Sequence, residues 1–283
     1  MESTHAARPG TDPAPVSRRR PPREGNGWRD LARFLLKLLV IVVIVRSFLF
    51  SPFVIPSASM VPRLLVGDYL FITKWNYGYS RHSLPWSVPL IPGRLFPATP
   101  RRGDVVVFMA PPLARQNYIK RVIGLPGDTV QMQGGQLILN GRRVPKERIA
   151  DLIVPVSPNF GCPDPFRTRD AEGQPVCRYP RFRETLPDGR SYEVLDQGYS
   201  PSHDDTEVFT VPAGHVFLMG DNRDDSSDSR FPAQDGGAIG FVPMENIVGK
   251  AVVTFWSSDG SARLLLPWTW FSANRWDRIG EGF

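Results

Sequence analysis

The sequence is short of the residues on which most hydrolytic and metal chemistry is built. Among 283 residues there are four histidines and two cysteines. His5 lies in a basic leader, and His82, His203 and His215 sit in no recognisable catalytic motif, so a Ser-His-Asp triad has no evident base. Neither cysteine has a histidine close by to complete a metal site. The Ser-x-x-Lys spacing of penicillin-recognising enzymes is absent, because Pro62 stands three residues after Ser59. Long helical periodicity is scarce after residue 50, and no helices alternate with the strand-like segments, which excludes a parallel α/β sheet. There is no internal repeat.

What the chain has in quantity is proline (29) and glycine (25), the punctuation of a turn-rich fold. Its length suffices for one or two domains with a real core. The formal charge is +6, unevenly placed: eight basic and four acidic residues between Met1 and Lys37 account for +4 of it. A basic leader beside an apolar run reads as a topology signal and not as a nucleic-acid surface. Residues 1–27 therefore read as a disordered cytoplasmic tail. The apolar run LARFLLKLLVIVVIVRSFLF, residues 31–50, would span about 30 Å as a helix, so one transmembrane anchor is expected over 28–50. Arg33, Lys37 and Arg46 fall near its ends, where long side chains snorkel. The positive-inside rule then leaves Met1 in the cytoplasm and puts everything after Pro52 across the membrane. A cleavable secretory signal ending at Ser57-Ala58-Ser59 is the alternative; the long leader and the charges inside the run oppose it.

Beyond the run the pattern is mostly of period two. Strands are expected over 68–73, 104–109, 118–124, 129–133, 136–140, 207–211, 215–219 and 245–256, with Asn140-Gly141 as a hairpin turn. Strand signal thins out between about residues 142 and 205. The fold class that follows is mainly β: an antiparallel core over 51–141 and 206–283, interrupted by an inserted variable β/loop domain over 142–205. That insertion carries Cys162 and Cys177 in polar surroundings. A local disulfide is expected if the domain lies outside the cytosol, contributing about 3 kcal/mol. The closing RLLLPWTWFSANRW is aromatic-rich, fit for a core or for a membrane interface.

Three stretches carry candidate chemistry. In Pro56-Ser57-Ala58-Ser59-Met60-Val61-Pro62 the serines are two apart, so on an extended backbone both hydroxyls point one way. One serine can attack while the other helps hold the developing oxyanion. On its own the segment also reads as a polar linker. In the second stretch, Tyr118 to Asp128, alternation puts Tyr118, Lys120 and Val122 on one face. A lysine desolvated among apolar neighbours loses its proton near neutral pH and becomes a base, although a lone lysine is usually just exposed. The third stretch, Gly220 to Arg230, reads as an acidic loop. Its Asp224, Ser226, Asp228 and Asp235 approach calcium-ligand spacing, but Ser229 stands where the required glycine would be.

Taken together and in order after one N-terminal apolar run, these stretches resemble the bacterial type I signal peptidases, membrane-bound serine proteases that remove signal peptides from exported proteins. Ser57-Ala58-Ser59-Met60-Val61-Pro62 matches the family's nucleophile box, Lys120 to Asp128 its base box, and Gly220 to Arg230 its third box, followed by Gly240-Phe241-Val242-Pro243. The resemblance implies Ser59 as nucleophile and Lys120 as general base. It implies an oxyanion hole from the Ser59 N–H and the Ser57 hydroxyl, Ser226 orienting the Lys120 amine, and Asp228 with Arg230 as a structural ion pair. It further implies a β fold with a variable insertion, no metal or other cofactor, and cleavage after small residues. The implied setting is the bacterial inner membrane, with the catalytic domain extracytoplasmic, signal peptides and lipid as partners, and the secretion translocon nearby. Two departures stand out: Arg63 replaces the threonine usual after the box proline, and the segment 231–239 is longer than in short members. The self-cleaving SOS-type repressors share Ser/Lys chemistry but need a DNA-binding helix-turn-helix that residues 1–50 cannot supply. A membrane-tethered, non-catalytic binding or scaffolding protein is the rival from another class.

Overall fold

In the computed structural model, which describes residues 27–263 and 265–283, the apolar run does not fold as one helix. The expected disordered tail, except for Gly27, lies outside the described residues. An α-helix covers Gly27–Ile44, a π-helical turn covers Val45–Leu49, and Phe50–Val54 is a strand. Among the described residues no helix is long and apolar enough to cross a membrane. The single transmembrane helix expected over 28–50 is corrected to an α-helix ending at Ile44, a π-helical turn and a strand beginning at Phe50. The α-helix carries Arg29, Asp30, Arg33 and Lys37 within its 18 residues, and it gives way before the run ends. Pro52 cannot continue a helix and disfavours helical geometry at Ser51, so Phe50 joins a strand instead.

Residues 42–283 form one compact unit. Its spine is a seven-stranded antiparallel sheet in the order Phe50–Val54, Asp68–Thr73, Ile247–Ser257, Val105–Met109, Asn117–Gly124, His215–Met219, Val242–Pro243. Several of these strands were legible as period-two or continuous apolar runs. In Asn117–Gly124, however, every residue from Ile119 onward is buried. Both faces of that strand are covered, so the inside–outside alternation expected there is lost. Val122 packs with Val106, Phe108 and Leu218 on one side. Ile119 joins Val105, Val107 and Ile72 on the other.

The stretch expected to be poor in strands is a second antiparallel sheet, and that expectation is corrected. Lys146–Pro155 and Arg167–Arg169 flank Pro175–Thr185, which also pairs with Ser191–Leu195. Its pattern is masked by arginines: Arg181 and Arg183 face Glu193 across the ladder, a charged surface that carries little apolar alternation. Cys162 and Cys177 are joined by a disulfide, with Cα atoms 5.6 Å apart. Cys177 and Tyr179 pack with Leu195 and with Val61, two residues beyond Ser59, so this sheet shares a core with the serine segment. A small sheet of Phe209–Thr210, Thr129–Gln133, Gln136–Leu139 and Arg142–Arg143 closes the far end.

The aromatic C-terminal segment is not core. Leu265, Trp268 and Phe271 remain exposed around a short helix, Trp268–Ser272. The segment is tied down by Arg278, whose Nη2 donates to the fully buried Asp68 over 2.6 Å.

Candidate active site

Ser59 stands in a 3₁₀ turn, Ala58–Met60, entered from Ser57 in extended geometry (φ −135°, ψ 158°). The extended backbone expected through both serines therefore ends at Ser57. The two hydroxyls still meet, Oγ to Oγ at 3.4 Å. The turn is held by the third stretch: the Asn222 N–H donates to the Ser59 carbonyl over 3.1 Å, and its side-chain amide donates to the Ala58 carbonyl over 3.3 Å. Gln197, from the end of the inserted region, orients that amide by donating to its oxygen over 2.8 Å.

Lys120 reaches the same point from the neighbouring strand. Its Nζ lies 2.5 Å from Ser59 Oγ, and the side chain is 4 % exposed. Burial pushes the amine down to about 8. Asp228, Asp221 and Asp225 pull the other way, and Arg230 adds to the lowering. The net shift follows because desolvation of an ammonium outweighs the carboxylates, of which Asp228 and Asp221 already have their charge engaged by arginines.

That engagement is visible pair by pair. Asp228 takes two hydrogen bonds of 2.9 Å from the Arg230 guanidinium and a third, of 3.0 Å, from the Gly220 N–H. Burial alone would raise the Asp228 carboxyl, but Arg230 holds it below its ordinary value. Asp221 is clamped by Arg121 at 2.7 and 2.6 Å, and Arg223 by Glu184 at 2.8 and 2.6 Å. Asp221 and Asp228 are committed to guanidinium groups, and among the described residues no cluster could hold a metal ion.

Ser226 is buried in the same cleft, but among the described residues its hydroxyl has no hydrogen-bond partner. The bond to the Lys120 amine that the resemblance implies is not formed. Space there is tight: a β-carbon on Gly220 would lie 2.3 Å from Ser226 Oγ and 2.5 Å from the Ser59 carbonyl oxygen. Only glycine allows the two segments to approach so closely.

The cleft over this pair encloses about 520 Å³. Phe53 to Ser59 form one wall and Gln116 to Lys120 another, with Asp224 to Ser227 beside them. Gly236 and Gly237, from the long segment 231–239, also line it. The other departure, Arg63, is turned to the C terminus, where it donates to the Gly282 carbonyl and sits over the Phe283 ring at 5.3 Å.

A family model described as signal peptidase, peptidase S26, matches residues 28–256. The chain belongs to that family. It is 35 % identical over 259 residues to a signal peptidase I of Rickettsia felis, covering 86 % of this chain and 88 % of the relative. It is 36 % identical over 250 residues to that of Rickettsia prowazekii, covering 82 % and 85 %. A solved structure of signal peptidase I from Enterococcus faecalis aligns with 54 % of this chain and 97 % of its own, at 24 % identity and a TM-score of 0.29. As a member of the S26 signal peptidases the chain is a serine endopeptidase, which sets aside the non-catalytic scaffold. Sequence reasoning missed Asn222, Gln197 and Glu184. Asn222 lay inside a quoted motif, but its partners at Ser59 and Ala58 are 163 and 164 positions away.

Proposed function

We propose that the chain removes signal peptides from exported preproteins through a Ser59/Lys120 dyad. The observation that carries this reading is the 2.5 Å contact between Lys120 Nζ and Ser59 Oγ, made by an amine that burial holds near pKa 8. A neutral Lys120 takes the Ser59 proton as Oγ attacks the scissile carbonyl carbon. The tetrahedral oxyanion is received by the Ser59 N–H and the Ser57 hydroxyl. Lys120 then returns the proton to the leaving amine, and the peptide bond breaks to leave an acyl-enzyme on Ser59. A water, deprotonated by Lys120, hydrolyses that ester and restores the serine. Ser226, which lines the same cleft, orients the amine, and Asp228 with Arg230 holds the loop without touching substrate. Cleavage follows small residues, and no cofactor takes part.

The same reading makes the protein a resident of the bacterial inner membrane, close to the secretion translocon. Its apolar residues 31–50 would be held in the bilayer and its N terminus would be cytoplasmic. Residues 142–205 count as an insertion between two parts of the catalytic core. Supporting the orientation is the basic leader, which favours the cytoplasmic side. Incubating the purified full chain with a preprotein and sequencing the new N terminus tests the chemistry. A new terminus directly after a small residue at the end of the signal is expected. An uncut preprotein, with enzyme shown to be folded, would overturn it.

A further inference from the structure

A second cleft, of about 390 Å³, shares Phe53 and Asn117 with the first and has a different character. Its charged lining is cationic: Arg46, Lys74 and Arg115 border it together with His82, and no aspartate or glutamate does. Lys74 is 5 % exposed. Its ammonium has three N–H donors, and the structure gives it one acceptor, the Ser83 carbonyl at 2.6 Å. Among the described residues neither Lys74 nor Arg46 nor Arg115 forms an ion pair. Burial pushes the Lys74 amine down to about 8, and the like charge of Arg46 adds to the shift.

Arg46 and Arg115 are exposed at the mouth, whereas Lys74 is buried beneath them, and a buried ammonium without a counter-charge costs stability. An anion from outside the chain supplies what the pocket lacks. The rim points to its setting. Trp86 is 96 % exposed, and it and Ser87 both have positive φ, 55° and 52°. Such backbone is strained for a residue other than glycine, and here it accompanies an indole left almost bare in solvent. Indoles are favoured at the boundary between lipid and water.

We propose that the pocket bordered by Arg46, Lys74 and Arg115 binds a phosphate group. Free phosphate and the headgroup of an anionic phospholipid present the same chemistry to these donors, and the bare indole favours the lipid. The site lies beside the peptidase cleft and uses none of its reacting groups, so binding is measured without reference to cleavage. The full chain in nonionic detergent micelles is titrated calorimetrically with inorganic phosphate, and separately with short-chain phosphatidylglycerol against phosphatidylcholine of equal chain length. Arg115→Gln and Lys74→Met probe the pocket. Arg142→Gln removes an equal charge at an exposed position outside it.

Saturable binding that Arg115→Gln weakens about tenfold and Arg142→Gln leaves intact is expected, since one charge-assisted hydrogen bond is worth about that factor. If inorganic phosphate shows it, the free anion is a ligand. If only phosphatidylglycerol shows it, the ligand is the lipid. Lys74→Met should match Arg115→Gln, and because Lys74 is buried, Arg115→Gln carries the test if Lys74→Met does not fold. No saturable binding in either arm, or an equal loss in Arg142→Gln, overturns the proposal.

Discussion

Gly220 lies so close to Ser226 that a β-carbon on it would stand 2.3 Å from the serine hydroxyl. The same carbon would press on the Ser59 carbonyl oxygen at 2.5 Å, which is backbone and cannot swing aside. Gly220→Ala should therefore push the Ser59 turn away from Lys120. A displacement near 1 Å at reacting atoms costs about 10²-fold in rate. Cleavage assays beside urea unfolding should show a far larger loss of turnover than of stability. A rate like that of the unmodified enzyme would mean the loop yields elsewhere.

The dyad predicts a pattern across substitutions. Ser59→Ala and Lys120→Met should each abolish preprotein cleavage, and the double variant should be no worse, because the pair acts as a unit. Ser57→Ala should retain weak activity, down about 10²–10³-fold, since the backbone donor of the oxyanion hole survives. Single-turnover cleavage of one preprotein by all four variants measures this. Full activity in folded Lys120→Met would require another base.

With the Lys120 amine near 8, activity should climb with pH along an acidic limb centred about there, well below a free lysine. Stability carries the same signature. The folded state disfavours the ammonium, so the penalty is fully present below pH 8 and is removed as pH rises from 8 toward the unfolded value of about 10.4. Its size is on the order of 3 kcal/mol. Relative to Lys120→Met, the unmodified protein should gain stability over that window. Urea midpoints of the two proteins at pH 7 and pH 10 give the comparison, and parallel curves would place the amine elsewhere.

Glu184 and Arg223 form a fully buried ion pair, and the Tyr192 hydroxyl also donates to Glu184. Glu184→Gln leaves the guanidinium buried with a neutral partner. Breaking such a pair typically costs about 3–5 kcal/mol, so a marked fall in the urea midpoint is expected. Because Arg223 belongs to the loop that braces Ser59, turnover should fall as well. An unchanged midpoint would show that water reaches the pair.

The main sheet was legible where chemistry is local. The run 68–73 is the strand Asp68–Thr73, and 215–219 is His215–Met219, because turn residues bracket short apolar runs. The inserted sheet was not legible, since its ladders pair arginine with glutamate and its bulge between Ile149 and Leu152 breaks the alternation. The meeting of Ser59 and Lys120 came from motif resemblance and not from pattern: nothing in the period-two reading of 118–124 reports that both faces are covered. Ser226 was placed in the cleft, but its hydroxyl does not reach the bond assigned to it. The bracing by Asn222 and Gln197 had no local signal, because hydrogen bonds over such separations leave no periodicity.

The Asn222 brace on the Ala58–Ser59 turn spans 164 positions of chain. Translation at about 5–20 residues per second separates the two ends by roughly 10 to 30 s. A nascent chain that has released the serine turn thus waits for the segment that secures it. Lys120 appears in between, on a strand whose partner His215–Met219 is also made late. On the proposed dyad, a chain truncated before residue 220 carries Ser59 without the loop that braces it, and competence comes late in synthesis.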